Sequence, residues 1–309
     1  MTQGVERSPS TGLLAVHAHP DDETLSTGAL LATWAAAGLP TTVVTCTRGE
    51  RGEVIGRRLA HLAGDPAALA AHRVTELAAA LAALGVGDHV MLDEVAGDGP
   101  WVDSGMIWQS VGRAALGSDV PEGAFALVDV DTAAERLARV VRERRPAVLV
   151  TYEPDGGYGH PDHVQAHRVA MRAVELAGEG AEGWAVPCVL WAALDADVLE
   201  AGRAACGADL APGLRTAVGK PQPSAAVPGG AVDVRVDVLP VAEQVVGALG
   251  AHTTQVQAVR RLPGSDGVAL GCYALSDAVV QPILAAEAYR VAPGSAVEGE
   301  WWPAGVRVR

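Results

Sequence analysis

The 309-residue sequence predicts an α/β fold: a Rossmann-like, mostly parallel sheet flanked by helices, with a smaller C-terminal α+β part. Three observations carry this expectation. Short apolar, β-branched runs alternate with helical stretches from residue 13 to 177, the signature of βαβ units. Two clusters rich in His and Asp each follow such a run directly. After residue 186 the regular alternation stops, which divides the chain into 1–186 and 187–309.

In chain order, LLAVHA (13–18) reads as a buried strand and 23–38 as a helix that Gly38 ends. TTVVTCT (41–47) is a second strand. RGERGEVIGRR (48–58) is charged and punctuated by glycine, hence a loop. Residues 67–84 form an Ala/Leu-rich helix that stops at Gly85, and HVMLD (89–93) is a third strand. Residues 95–129 carry glycines and aromatics without periodicity and read as a long loop region. A helix at 131–144, a strand at 147–152, a loop at 153–162 and a helix at 163–177 follow. In the second part, 187–194 reads as a strand, 211–230 as a Pro/Gly-rich connection and 231–238 as a half-exposed strand. Helices are expected at 240–251 and 278–290.

Composition narrows the function. Hydrophobic residues make up 49% and charged residues 19%, a globular balance. The net charge of −14 argues against nucleic acid, whose phosphates need a basic surface, and favours a small neutral or cationic substrate. No apolar run suggests a membrane span, and MTQGVERSPS lacks the pattern of a secretory leader, so a cytoplasmic protein is expected, without a membrane partner. Cys46, Cys188, Cys206 and Cys272 are scattered, as suits buried free thiols. The oligomeric state leaves no mark in the sequence.

The chemistry concentrates in two loops. HAHPDDE offers His17, His19, Asp21, Asp22 and Glu23, and GYGHPDH adds His160, Asp162 and His163. Imidazole and carboxylate together suit zinc or a similar divalent ion. His19 and Asp22 are three residues apart across a Pro-led turn and can reach one point. Two His and one carboxylate would leave a neighbouring carboxylate free as a base. The competing reading makes Asp21 or Asp22 an N-cap. In a parallel sheet both loops open at the carboxyl edge, although about 140 residues separate them. His163 and His167 share a helix face, but without the Glu of an HExxH pattern, so His167 is placed outside the ligand set.

These motifs resemble the LmbE-like (PIG-L) family of zinc-dependent N-acetylglucosaminyl deacetylases. VVTCTRGERGEVIG (43–56), HRVTELAAALAALGV (72–86), DSGM (103–106) and AHTTQV (251–256) extend the likeness toward its branch in mycothiol biosynthesis. The resemblance implies removal of acetate from N-acetylglucosaminyl-inositol, a small amino-sugar substrate. It makes His19, Asp22 and His163 the ligands of one Zn2+ (or Fe2+) per subunit and Asp21 the general base. His160 becomes an electrophilic or acid partner oriented by Asp162, and Tyr158 lies near the oxyanion. Arg73, Asp103, Met106 and Glu53 fall at sugar- or inositol-contacting positions, and His17 falls behind the ligands. Three alternatives stay open: an amidase of mycothiol conjugates, a deacetylase of natural-product amino sugars, and a non-catalytic glycan-binding module.

Overall fold

The computed structural model describes residues 10–95, 99–110, 112–207, 210–262 and 267–309. Most of the N-terminal decapeptide, and residues 96–98 and 111 of the expected long loop, lie outside the described residues.

The first half alternates as expected. Strand β1 (Leu13–His17) leads to helix α1 (Asp22–Ala36), β2 (Thr41–Thr45) to α2 (Pro66–Leu84), and β3 (Asp88–Met91) follows. A hairpin, β4 (Ile107–Ser110) and β5 (Arg113–Ala115), interrupts the region read as loop. Then come α3 (Val130–Arg144), β6 (Val148–Tyr152), the irregular turn α4 (Gly156–Gly159) and α5 (Pro161–Gly178). The β1 register pairs it in parallel with both β2 and β6. The chain therefore builds β1-β2-β3 to one side of β1 and β6 to the other. The switch in direction lies between β1 and β6, the place where such sheets open a crevice.

Both faces of β1 are buried, which explains why it is apolar without alternation. Leu13 and Ala15 pack into the core that holds α1, α2 and Tyr289. Leu14 and Val16 pack into the core that holds α3 and α5. Each fully buried Leu or Val contributes about 2 kcal/mol. Helix α2 is long and apolar enough to resemble a membrane span. However, it packs Leu69, Leu77, Ala80, Leu81 and Leu84 inward and buries Arg73 and Glu76 with them, as a core helix does.

Beyond residue 186 come β7 (Cys188–Asp195), α6 (Ala196–Cys206), β8 (Arg215–Thr216), β9 (Ala226–Val227), β10 (Val234–Asp237) and α7 (Ala242–Ala251). They are followed by β11 (Gln257–Arg261), β12 (Ala269–Ala274), β13 (Val279–Leu284), β14 (Ala286–Val291) and β15 (Val306–Val308). The main sheet runs β15-β10-β14-β7-β6-β1-β2-β3, with β9 also on β7. Thus β7 continues the parallel sheet, while β14, β10 and β15 extend it antiparallel. A second sheet runs β11-β12-β13-β8.

The helix expected at 278–290 is corrected to two strands, β13 and β14. Its alanines and Glu287 favour a helix locally, but Pro282 cannot sit in a helix interior. On β13, Pro282 pairs with Cys272 of β12, and β8 covers the other side only at Val279 and Val280. The missing N–H of Pro282 therefore falls on an edge, where it costs little. Helix α6 and strands β11 and β12 had no clear sequence signal. All four cysteines are buried and free.

Candidate metal centre

The two His/Asp loops meet because β1 and β6 are neighbours in the sheet. His19 lies two residues past β1 with its ring among carboxylates. Its Nδ1 is 3.2 Å from Asp22 Oδ2; its Nε2 is 3.2 Å from Asp162 Oδ2 and 3.6 Å from Asp103 Oδ1. Burial disfavours a charged His19, yet Asp103, Asp162 and Asp22 raise its pKa well above the ordinary value. Such surroundings are built to hold positive charge.

Asp22 opens α1, and its Oδ2 also lies 3.4 Å from His163 Nε2. Burial works against its carboxylate, but His163 and His19 hold it well below the usual range. His163 sits in the first turn of α5, and its Nδ1 donates to the Gly156 carbonyl at 3.1 Å. The lone pair of Nε2 is thereby turned inward, buried and, among the described residues, without a hydrogen-bond partner. Gly156 has φ +68°, and a Cβ there would lie 2.8 Å from His163 Cβ and from Val164 N, so only glycine fits against the start of this helix turn. Tyr152, at the end of β6, stacks on the ring at 4.2 Å.

Donor atoms of His19, His160 and His163 lie within 4.8 Å of one another, as do those of His19, Asp103 and Asp162. The Asp22 oxygen bridges His19 and His163. An inward-facing bare imidazole nitrogen beside a carboxylate oxygen, with more carboxylates behind, fits a divalent cation.

Asp21 precedes α1 with φ 113° and ψ −32°, a conformation that costs a non-glycine residue about 1–3 kcal/mol. Its amide donates to Glu23 Oε2 at 2.9 Å. Its carboxylate lies 3.3 Å from Arg73 Nη2. Burial pushes the Asp21 carboxyl up to about 6, against the pull of Arg73. Neither Asp21 nor Asp22 caps α1 through its side chain in the manner of an N-cap.

His160 precedes Pro161, the first residue of α5, and its Nδ1 accepts the Asp162 amide at 3.2 Å. An amide only donates, so the ring proton of neutral His160 resides on Nε2. Burial, with His163 and His19 nearby, keeps His160 neutral well below the ordinary value. The main chain of Asp162 thus orients His160, whereas its carboxylate turns to His19 and to Ser104, accepting the Ser104 amide at 2.9 Å and its hydroxyl at 2.5 Å. Tyr158 places its ring 6.0 Å from His160 and 5.2 Å from His163.

The remaining sequence candidates are placed as follows. Arg73 is buried under the first loop, donating to the Gly49 carbonyl at 2.6 Å and to the Pro20 carbonyl as well as facing Asp21. Asp103 is buried and accepts the Arg51 and Gly105 amides at 3.2 and 2.8 Å. Burial opposes its charge, but His19 and His160 hold Asp103 well below the carboxylate range. Met106 is half-buried at the entry to β4. Glu53 is exposed, and its carbonyl accepts from Gln255 at 3.1 Å. His17 stands behind the site, bonded to Thr27 at 2.9 Å and driven down to about 4 by burial. His167 faces away, to the Tyr152 carbonyl at 2.9 Å and the Trp191 ring.

Sequence reasoning missed Tyr152, Ser104 and Glu153. The Glu153 carboxylate accepts the Asp155 and Gly157 amides at 2.7 and 2.8 Å and the Ser224 hydroxyl at 2.7 Å, shaping the second loop. The only available signal was their position: Tyr152 and Glu153 stand at the carboxyl end of a central strand.

Residues 14–174 match the family described as PIG-L, GlcNAc-PI de-N-acetylase. A protein from Kineococcus radiotolerans named 1D-myo-inositol 2-acetamido-2-deoxy-alpha-D-glucopyranoside deacetylase is 46% identical over 92% of this chain and 78% of its own length. A protein of the same name from Streptomyces avermitilis is 44% identical over 93% of both chains. Among solved structures, N,N'-diacetylchitobiose deacetylase from Pyrococcus horikoshii has a TM-score of 0.54 at 14% identity, covering 92% of this chain and 85% of that one. A 4-carboxy-2-hydroxymuconate hydratase from Pseudomonas putida scores 0.52 at 17% identity, covering 93% and 98%. Since one is a deacetylase and the other a hydratase, these two likenesses speak for the fold alone.

Proposed function

Because this chain belongs to the GlcNAc-PI de-N-acetylase family, we propose that it is a metal-dependent amidohydrolase that removes acetate from N-acetylglucosaminyl-inositol, yielding glucosaminyl-inositol. Relatives that carry this activity in their names align along nearly the whole chain, which supports the substrate. The geometric observation that carries the chemistry is the bare His163 Nε2 beside Asp22 Oδ2, with Asp21 next in sequence and turned to Arg73 instead.

In this reading His19, Asp22 and His163 hold one divalent cation per subunit. We assign zinc, with ferrous iron the other ion that such donors accept. A cation bound there would polarise the acetyl carbonyl and lower the pKa of water. Asp21, ionised above about pH 6, accepts the proton of the attacking water. His160, with its proton on Nε2, donates a hydrogen bond to the oxygen that gains negative charge. Tyr158, on the same loop, closes that side. Collapse of the tetrahedral species breaks the C–N bond, and the amine leaves with the proton that Asp21 took up. The acid so formed passes its remaining proton to the amine, so water and amide become acetate and an ammonium, with charge and protons balanced.

Arg73, Asp103, Met106 and Glu53 remain the proposed contacts to the sugar and inositol rings. Of these, Asp103 lies beside His19. We place the enzyme in the cytoplasm, a location with which four buried thiols and no disulfide agree.

The test is acetate release from N-acetylglucosaminyl-inositol beside cleavage of a thiol-conjugated mycothiol, with metal content determined on the same sample. Faster turnover of the acetylated pseudodisaccharide supports the proposal. Faster cleavage of the conjugate assigns the chain to conjugate amidases instead, and no turnover of either favours a binding module.

A further inference from the structure

The segment AHTTQV (251–256) lies beyond the residues that take part in the chemistry, yet it reaches into the first loop. His252, at the end of α7, is fully buried, and its Nε2 lies 2.8 Å from Glu23 Oε1. Glu23 is fully buried too. Its other oxygen accepts the Asp21 amide at 2.9 Å, and Thr24 Oγ1 donates to Oε1 at 2.5 Å. The Asp21 carbonyl accepts from the amides of Thr24 and Leu25 at 3.0 and 2.9 Å. Both peptide groups of Asp21 are thus held while its φ stays at 113°, where an L side chain rarely rests.

His252 is itself fixed. Glu76 of α2 accepts the Thr253 hydroxyl at 2.6 Å, the Thr254 amide at 2.8 Å and the Thr254 hydroxyl at 2.6 Å. One turn earlier on α2, Arg73 faces the Asp21 carboxylate. Two arms therefore run from α2 to Asp21. Arg73 meets the side chain directly, and Glu76 secures the threonines that carry His252 to Glu23 and so to the Asp21 amide. A carboxylate required only for helix capping would not need a fully buried imidazole behind it. Burying both groups is costly unless their pairing fixes a geometry that the fold otherwise resists.

We propose that Glu23 and His252 are positioning residues that lock the strained backbone of Asp21 and thereby aim the general base. The proposal rests on the reading of Asp21 as that base. It concerns aim alone, because Glu23 touches the Asp21 main chain and makes no contact with His19 or His163 among the described hydrogen bonds.

The experiment compares His252→Ala, His252→Gln, Asp21→Ala and the double variant Asp21→Ala/His252→Ala. Measured quantities are kcat, KM and bound metal per chain. His252→Ala is expected to lower kcat about tenfold to a hundredfold, the scale of a misplaced catalytic group. KM should stay within about twofold and metal at the wild-type level, since uniform binding is untouched. His252→Gln, whose amide can still donate to Glu23, is expected to recover most of the loss. In the Asp21→Ala background, removal of His252 should cost nothing more. Should His252→Ala fail to fold, His252→Gln and the volume-conserving Glu23→Gln carry the same comparison. Losses that multiply in the double variant, loss of metal, or an unchanged kcat would each overturn the proposal. Full turnover by Asp21→Ala alone would instead sink the base assignment, a result visible without touching His252.

Discussion

His163 Nε2 and Asp22 Oδ2 face each other at 3.4 Å inside the protein, with no hydrogen bond between them. Two electron-rich atoms held so close by separate elements, α5 and α1, are a place for a shared cation.

Removal of that cation is the first prediction. Chelation is expected to abolish acetate release and to lower the melting temperature, since a ligand at a thousand times its Kd adds about 4 kcal/mol. Zinc, cobalt or ferrous iron should restore activity. Differential scanning calorimetry with and without chelator, beside the assay, checks both; a fully active metal-free chain would contradict it.

Asp21→Ala should retain metal, because His19, Asp22 and His163 are untouched, while kcat falls by roughly 10²–10⁴, the range of a lost general base. Elemental analysis and steady-state kinetics on one preparation decide the matter. Loss of metal together with activity would move Asp21 into the ligand set.

Arg73→Met should shift the acid limb of the kcat/KM profile toward higher pH. Burial raises the Asp21 carboxyl and the Arg73 cation pulls it down. Without that cation the carboxylate is less favoured, so the base is lost at a higher pH than in the wild type. An acid limb that stays in place or moves lower would show that Arg73 acts elsewhere.

Glu287 of β14 accepts two amides from within α1, Ala29 at 2.7 Å and Leu30 at 2.9 Å, and burial pushes its carboxyl from 4.5 up to about 7. The fold thus favours the protonated acid. The sign follows from linkage: this stabilisation is complete below about pH 4.5 and is lost as pH rises through about 7. Glu287→Gln, which cannot ionise, should lack that loss. Melting curves of both proteins between pH 4.5 and 8 should diverge; parallel curves would count against a raised Glu287.

Strands β1, β2 and β6 were legible in the sequence because each buries a continuous apolar run, and α1, α2, α3 and α5 because period and composition agree there, whereas the exposed β4 and its partner β5 lie in a stretch without periodicity and were not. The meeting of HPDDE with GYGHPDH was legible for the same reason: parallel neighbours release both loops at one edge. Residues 278–290 were not, since Pro282 decides against a helix only when the partner strands are known. Nor were the partners of the Asp162 carboxylate: the resemblance paired it with His160, while the folded loop delivers Ser104 from 58 residues away. The pairing of Glu23 with His252 spans 229 residues and leaves no local pattern.

The continuity of the main sheet past residue 186 bears on how the protein can be cut. Among the described strands, β6 is covered on its outer side by β7 alone, which is in turn covered by β14. A truncation after residue 186 would strip β6 to a naked edge, a template for intermolecular pairing and precipitation. It would also withdraw Glu287 and Tyr289 from the middle of α1. Shortened versions meant for fusion or display should therefore keep the chain at least through Val291, even though the family signature ends at residue 174.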